Sequence, residues 1–306
     1  MRMLIAGTDL SSRSDRALHR AALMAREFKA RLLLLHVVDD DQPPAMIDQD
    51  RRQATSLLDG QALHLAKLAN ARPDVLVKMG DPFEAIVETA RGQQADLIVM
   101  GAHRKRLLRD IFVGTTIERV MRTGNTPVLM VNAYPSGAYR RVLLAVDLSE
   151  ASARAGRAAK ALGLLDSADV SIVHAFRPYA KALLGRTGAN QDVITKHIVH
   201  TAVEVAGELT SFLDREGLND DRYEVILEDG DPFETIKDNV RRQNPDLLII
   251  GTRGHTGLKR LLLGSVADEV LRQVDCDVLA VPPEQISISN APISDGQSVV
   301  RASGAG

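Results

Sequence analysis

The 306-residue chain has one cysteine, no tryptophan, 3% aromatic residues and no excess of charge of either sign. The single thiol, Cys276, excludes a disulfide framework and is typical of a reducing compartment. With 38 basic and 40 acidic residues, the chain lacks the basic excess of a bulk nucleic-acid binder. No apolar run reaches the ~18 residues of a transmembrane helix, and the first residues do not resemble a signal peptide. We therefore expect a cytoplasmic protein with no nucleic-acid partner and no membrane partner.

Two common nucleotide-binding motifs are also missing. The chain contains no G-K-[ST], which excludes a Walker A loop, and no G-x-G-x-x-G, which leaves the usual dinucleotide-binding fold unsupported. With 45% apolar residues and few aromatics, the core must consist mostly of Leu, Val, Ile and Ala. That composition is typical of parallel sheets covered by helices.

What the sequence does contain is an internal repeat, the signature of a tandem duplication. Several segments recur 150 residues later: GDPFE at 80–84 and 230–234, ADLIVMG at 95–101 and PDLLIIG at 245–251, TPVLMV at 126–131 and CDVLAV at 276–281. Two earlier pairs are 138 residues apart: LIAGTDLSS at 4–12 with LLAVDLSE at 143–150, and LLLLHVV at 32–38 with VSIVHAF at 170–176. The difference indicates a 12-residue insertion after His174. We therefore expect two units, residues 1–131 and 139–282, followed by a flexible tail at 283–306.

Each copy reads as strands alternating with amphipathic helices. In the second copy the expected strands are near 141–146, 169–175, 223–228, 246–250 and 277–281, and the expected helices near 150–163, 191–216, 232–243 and 264–273. Ser149 and Asp231 are suited to cap two of these helices, and Pro232 follows at the first helical position. Alternation of this kind predicts an α/β fold with two tandem doubly wound domains, each a parallel sheet flanked by helices.

The stretch GTRGHTGLKRLLLGS, residues 251–265, follows an expected strand and ends at an expected helix start. In an open α/β sheet, ligands bind beyond the carboxyl ends of strands. Gly251 permits a tight turn off the strand, and Gly254 permits close approach of a ligand to the backbone. At Gly264 and Ser265 the helix presents N–H groups that favour negative charge. Loop geometry alone could also explain these glycines, but together they suit phosphate groups.

The pattern G-x2-G-x9-G-[ST], filled by Gly251, Gly254, Gly264 and Ser265, resembles the ATP-binding signature of the universal stress protein family. The repeated GDPFE, the VDLS after the first strand and the VHAF ending the second also fit, so the resemblance covers both copies. It implies a five-stranded parallel sheet in the order 3-2-1-4-5, with ATP, together with Mg²⁺, across the ends of strands one and four. It also implies pairing through the fifth strands, here between the two halves of one chain, and leaves a homodimer open.

The resemblance implies a set of cofactor-binding residues in the second copy, with Asp147 and Ala175 on the adenine side. The full set is Asp147, Ala175, Gly251, Arg253, Gly254, Gly264, Ser265 and Val266. Asp147 is alternatively a residue that shapes its own loop.

The first copy keeps Gly101, Gly114 and Thr115 but has Arg104 where the second glycine should be. A side chain there obstructs backbone contact with a phosphate. We therefore expect one competent nucleotide site, in the second copy. Arg104 and its basic neighbours form either a different anion site or a solvated loop.

Other candidate residues have simpler explanations. His36 and His174 end equivalent strands, where a structural role is favoured over proton transfer. His197 and His200 have the spacing of two metal ligands but lack a third. His255, within the glycine stretch, could contact phosphate or could equally be an exposed residue of a mobile loop. Two alternatives to a nucleotide-binding regulatory module stay open: a slow ATPase, and a scaffold for another ligand or a partner protein. No catalytic residue or metal ligand is assigned.

Overall fold

The computed structural model describes residues 1–41, 43–102, 115–177, 191–253 and 263–283. The first copy alternates strands and helices as expected. Its strands are Met3–Gly7 (β1), Arg31–Val38 (β2), Asp74–Met79 (β3), Leu97–Gly101 (β4) and Val128–Val131 (β5), and its helices are Ser14–Phe28 (α1), Pro44–Ala69 (α2), Pro82–Gly92 (α3) and Thr116–Thr123 (α4).

The second copy repeats this succession. Its strands are Arg141–Val146 (β6), Asp169–Phe176 (β7), Glu224–Asp229 (β8), Leu247–Gly251 (β9) and Asp277–Val281 (β10), and its helices are Glu150–Ala161 (α5), Gln191–Glu216 (α6), Pro232–Gln243 (α7) and Ser265–Gln273 (α8). The boundaries lie within two residues of those predicted from the sequence. The expected tail from 284 onward lies outside the described residues.

All ten strands form one sheet, in the order β3-β2-β1-β4-β5-β10-β9-β6-β7-β8. Each half therefore has the order 3-2-1-4-5, and every pairing within a half is parallel. The halves meet where β5 and β10 pair antiparallel, with Leu129 opposite Leu279. The doubly wound fold and the pairing of fifth strands within one chain are both confirmed.

The sheet is covered on both faces, which is why its central strands are continuously apolar. Successive side chains of a strand point to opposite faces of the sheet. Leu144 and Ile249 lie on the face covered by α1, α2, α5 and α6. Leu143 and Leu248 lie on the face covered by α3, α4, α7 and α8. All four are fully buried. Only the edge strands β3 and β8 carry exposed and charged residues along their length, and charge on an edge discourages pairing with other chains.

The helix starts follow the local sequence signals. Asp81 accepts hydrogen bonds from the backbone N–H groups of the first turn of α3, and Asp231 does the same for α7. Ser149 accepts one from the N–H of Ser152 at the start of α5. The caps at Asp81 and Asp231 confirm the reading of GDPFE as a helix-start motif, and the cap at Ser149 is confirmed as well. Of the two phenylalanines that follow, Phe233 is buried, whereas Phe83 is half-buried beneath the guanidinium of Arg119, 3.6 Å from its ring centre.

The 12-residue insertion in the second copy is divided between two connections. The segment between β7 and α6 is nine residues longer than its counterpart between β2 and α2, and the segment between α6 and β8 is three residues longer. Both helices have 26 residues. The sequence placed the whole insertion after His174, because it gave no signal for the second connection. Residues 178–190 lie outside the described part of the chain.

One buried carboxylate joins the two copies. Asp277, at the start of β10, is fully buried and accepts hydrogen bonds from Arg20 of α1 (3.2 Å) and from the Tyr139 hydroxyl (2.6 Å). Its other oxygen accepts from the N–H groups of Asn132 (2.9 Å) and Ala133 (3.1 Å) in the linker. Burial and the neighbouring Asp277 charge raise the pKa of Tyr139 well above its usual range, so its hydroxyl stays protonated and donates. The carboxylate is fully hydrogen-bonded.

No helix within the described ranges is both long enough and apolar enough to cross a membrane.

The Asp277 cluster predicts a large loss of stability when its charge is removed. In Asp277→Asn, Arg20 would remain buried, 4% exposed, without a counter-ion. Leaving a buried charge unpaired costs about 3–5 kcal/mol. We expect a loss of that size in the free energy of unfolding, measured by urea denaturation.

The control is Asp238→Asn, which breaks the ion pair between Asp238 and Arg241. The side chain of Asp238 is 60% exposed and that of Arg241 is 67% exposed. Exposed pairs contribute about 0–1 kcal/mol. Equal losses for the two variants would contradict the role given to Asp277.

Candidate functional site

The candidate site lies in two equivalent crevices, one in each copy. The first opens at the carboxyl ends of β1 and β4, and the second at the carboxyl ends of β6 and β9. These are the points where the strand order reverses: the connection from β1 runs to β2 on one side and that from β4 runs to β5 on the other, and β6 and β9 repeat this arrangement. The structure thus brings the predicted residues on β6, β7, β9 and α8 to one edge of the sheet.

The loop after β6 is held by its own carboxylate. Asp147 accepts hydrogen bonds through one oxygen from the N–H of Ser149 (3.1 Å) and from its hydroxyl (2.5 Å). Between them, Leu148 has a left-handed backbone with φ 62. A non-glycine residue in this region costs about 1–3 kcal/mol, and such strain is concentrated at functional sites. Asp147 therefore shapes its loop, which was one of the two roles expected; its contact with a ligand stays a prediction.

The first copy builds the same loop. Asp9 accepts from the N–H of Ser11 (3.0 Å) and from its hydroxyl (2.5 Å), and Leu10 has φ 59. Burial raises the pKa of Asp9, but the hydrogen bonds from Ser11 and Ser14 together with the charge of Arg13 outweigh it. The net pKa lies below its usual value, so Asp9 is ionised at neutral pH.

The paired histidines lie beneath these loops. The Nδ1 atom of His174 is 2.8 Å from the carbonyl oxygen of Val146, and that of His36 is 2.9 Å from the carbonyl oxygen of Thr8. Each ring thus ties the end of the second strand to the end of the first. His174 is only 8% exposed. This geometry agrees with the structural role favoured from the sequence.

The two ends of the glycine stretch meet in space. Gly251 is the last residue of β9, and the N–H of Gly264 donates to the carbonyl oxygen of Thr252 at 2.9 Å. The helix start at Ser265 and Val266 is therefore held against the strand end. Gly254 and His255 lie outside the described residues, as does the rest of the stretch through 262. Arg253 is half-buried at the strand end, and Ala175 is half-buried in β7.

The helix starts of the two copies differ in their caps. In α4 the hydroxyl of Thr115 accepts a hydrogen bond from the N–H of Glu118 at 3.3 Å. In α8 the capping residue is Gly264, and among the described residues no side chain caps the first turn. Ser265, which matches Thr115 in the repeat, is already inside the helix and exposed. The start of α8 therefore keeps more N–H groups available for an anion.

Gly251 has a packing role that sequence reasoning missed. A Cβ atom at this position would lie 2.7 Å from the carbonyl oxygen of Ala151 and 3.1 Å from the nitrogen of Ser152. The first turn of α5 therefore packs directly against bare backbone at the end of β9. The internal repeat could have revealed this role, because a glycine occupies the equivalent position in the first copy. There Gly101 packs in the same way against the backbone of Arg13 and Ser14. A glycine at 251 is required by the fold whether or not a ligand is bound.

The first copy holds a well-defined cavity of about 500 Å³ at its crevice. Its polar lining includes Asp9, Arg13, His36 and Thr115, and its apolar lining includes Ile86 and Met100 among others. A volume of this size suits a small organic ligand. Arg104, which the sequence singled out as the obstacle to phosphate, lies outside the described residues, as do Lys105, Arg106 and Gly114.

Within the described ranges, no group of three His, Cys, Asp or Glu side chains is placed to hold a metal ion. His200 lies 3.4 Å from Glu204 in an exposed pair on α6. The side chain of His197 is outside the described part of the chain. The only cysteine, Cys276, is half-buried and is not part of a disulfide.

The universal stress protein family model matches the chain twice, at residues 1–132 and 138–282. The chain therefore belongs to the universal stress protein family. Universal stress protein Sll1388 of Synechocystis sp. is 30% identical over 156 residues, which are 47% of this chain and 97% of that protein. Universal stress protein E of Escherichia coli K12 is 24% identical over 235 residues, 67% of this chain and 66% of that protein.

Among solved structures, a universal stress protein from Archaeoglobus fulgidus superposes with a TM-score of 0.65. The alignment covers 92% of this chain and 98% of that one, at 19% identity. At this identity the likeness shows the fold, and it spans both copies.

The packing at the two strand-end glycines predicts different tolerance to alanine. We expect Gly251→Ala to lower the free energy of unfolding by about 2–3 kcal/mol, because overpacking a well-packed position against backbone forces a shift. Gly101→Ala should cost less, about 1 kcal/mol, since its added Cβ would lie 3.1 Å from the nearest backbone atom, the carbonyl oxygen of Arg13. Urea denaturation of both variants checks the order, and equal or reversed losses would contradict it.

Proposed function

We propose that the chain binds ATP in the crevice of its second copy, residues 139–282, and acts as a nucleotide-dependent stress-response module in the cytoplasm. The observation that supports the proposal most directly is the start of α8. It has a glycine cap and no side-chain cap, and the 2.9 Å hydrogen bond from Gly264 to Thr252 holds it at the end of β9. An uncapped helix start beside a strand end is suited to phosphate.

In this proposal the phosphates contact the first turn of α8. The N–H groups of Ser265 and Val266 and the Ser265 hydroxyl would donate to phosphate oxygens, with Gly264 leaving room for close approach. Arg253 and Gly254 would contribute from the loop. Asp147 and Ala175 would bind on the adenine side. Mg²⁺ commonly keeps several waters and binds through substrate phosphates, so it would not need a group of protein carboxylates.

We expect weak hydrolysis at most. Phosphoryl transfer requires a positioned nucleophile, metal ligands and groups that stabilise charge in the transition state. The described part of the second crevice offers Arg253 and Asp147, and the carboxylate of Asp147 is already bonded to Ser149. A binding module is therefore favoured over an ATPase.

A second candidate function belongs to the first copy. Its cavity of about 500 Å³ is large enough for a ligand, and Arg104 replaces the glycine of the phosphate motif. We propose that this crevice holds a ligand other than a nucleoside triphosphate, or a segment of a partner protein. Mass spectrometry of small molecules released on denaturing the freshly purified chain would identify such a ligand.

The fifth strands are already paired within the chain. A homodimer of whole chains would therefore have to use another surface.

The proposal predicts opposite effects on stability and binding for one substitution. In Gly264→Asp, the new carboxylate can cap α8, which should leave the free energy of unfolding unchanged or raise it by a few tenths of a kcal/mol. The same carboxylate would repel the phosphates, so the dissociation constant for Mg·ATP should rise at least about tenfold. Isothermal titration calorimetry would measure one ATP per wild-type chain.

Thr115→Asp in the first copy is the matched control. It keeps the cap of α4 and adds the same charge, but it should leave ATP affinity unchanged. If Thr115→Asp lost ATP binding while Gly264→Asp kept it, the nucleotide would bind in the first copy, which contradicts the proposal. Absence of binding by the wild-type chain at millimolar Mg·ATP would refute the proposal.

A further inference from the structure

A second pocket lies at the opposite edge of the sheet from the first crevice. It has a volume of about 410 Å³ and sits where α1 and α2 end and where β2 and β3 begin. Four cationic side chains line it, Arg26, Lys29, Arg31 and Arg72, and we call it the basic pocket. Its only carboxylate is Asp74. The floor is apolar, with Ala25, Leu32 and Ala69 among the buried residues.

Two of the four cations form no direct ion pair, although the charge of Arg26 acts on the neighbouring carboxylate of Glu27. Arg31 pairs with Asp74 at 2.8 Å, and Arg72 pairs with Asp59 at 2.7 Å. Within the described part of the chain, the side chains of Arg26 and Lys29 make no ion pair and no hydrogen bond. The two existing pairs are more than 45% exposed on both sides, so water screens them and a ligand can displace them.

The fold does not require these cations, as the second copy shows. There the strand that matches β2 begins with Asp169 in place of Arg31, and the strand that matches β3 begins with Glu224 in place of Asp74. Arg222, which matches Arg72, is held by Asp220 at 2.7 Å. The same edge of the sheet is therefore acidic in one copy and basic in the other.

Lys29 occupies a position that favours glycine. It ends α1 with a left-handed backbone, φ 51, while the N–H of Ala30 donates to the carbonyl oxygen of Ala25 at 2.9 Å. In the second copy α5 ends about one turn earlier in the repeat, and its left-handed turn is filled by Gly163, φ 77, with the N–H of Leu164 donating to Ala159 at 3.0 Å. A lysine costs stability at a left-handed cap, and here it places an ammonium group at the pocket.

We propose that the basic pocket binds a small anion with two or more negative charges, such as a phosphate ester or a polyphosphate. The carboxyl ends of α1 and α2 carry partial negative charge of about half a unit each, which opposes anions. Arg31 and Arg72 are already paired with Asp74 and Asp59, so the four cations outweigh these partial charges only for a ligand that engages several cations at once. Guanidinium groups bind phosphate oxygens in pairs, and three of the four cations are arginines. The pocket is independent of the nucleotide crevice.

The test is calorimetric titration with inorganic pyrophosphate at low salt, in the Gly264→Asp background that disables the proposed ATP site. We expect saturable binding with one site per chain. Arg26→Gln with Lys29→Gly should raise the dissociation constant at least about tenfold, because each charged hydrogen bond lost weakens binding by about that factor. The matched control, Arg52→Gln with Arg91→Gln, removes the same charge from exposed positions of α2 and α3 and should have no effect.

Lys29→Gly alone separates binding from a structural role. Glycine relieves the left-handed backbone, so the thermal midpoint should rise while pyrophosphate affinity falls. A lysine kept for structure would instead lower the midpoint when removed. Failure of the chain to bind pyrophosphate at low millimolar concentration, or equal weakening in the control, would overturn the proposal. Neither result would bear on ATP binding by the second copy, which is measured without the Gly264→Asp change.

Discussion

The pairing of β5 with β10, fixed by the carboxylate of Asp277, is the interaction on which the architecture depends. A duplicated α/β unit leaves a short apolar edge strand in each copy, and the two edges cover each other here. Apolar strands alone could slip in register, since Leu, Val and Met side chains are interchangeable along them. Asp277 removes that freedom, because Arg20, Tyr139 and two linker N–H groups all converge on it. Buried ion pairs add little net stability over apolar substitutes, so its main effect is to specify one arrangement.

The junction also separates the two crevices. Strands within each half are parallel, and the halves are antiparallel to each other, so the carboxyl ends of the two sets of strands lie at opposite edges of the sheet. A ligand in one crevice therefore makes no contact with a ligand in the other. The loop of one crevice could therefore diverge without affecting the other crevice. The two loops do differ, since Arg104 in the first copy occupies the position of Gly254 in the second. The edge at the amino ends of the strands diverged as well, becoming basic near Arg31 and acidic near Asp169.

Most of the fold could be predicted from the sequence, because periodicity, helix caps and the repeat all depend on neighbours close along the chain. The strand starting at Arg141 and the cap at Asp231 are examples. Contacts between distant residues gave no such signal. Arg20 and Asp277 are 257 residues apart, and in the aligned repeat Pro127 stands opposite Asp277, so nothing in the pattern pairs them. The role of Gly251 was missed for the same reason: its requirement comes from Ala151, which belongs to another element.

The sequence predicted that the candidate residues lie together at one sheet edge, but it did not predict how the helix starts there are capped. The motif gives Thr115 and Ser265 the same place in the two copies, and by sequence they are interchangeable hydroxyl residues. In the structure Thr115 is the cap of α4, whereas Ser265 is the first residue of α8 and a glycine is the cap. The hydroxyl in the first copy therefore accepts from an N–H whose counterpart in the second copy has no side-chain cap. A helix that caps itself gains stability and gives up part of an anion site. α4 has a side-chain cap and α8 has none. The weaker phosphate binding expected of the first copy from Arg104 therefore has a second, independent cause at the start of its helix.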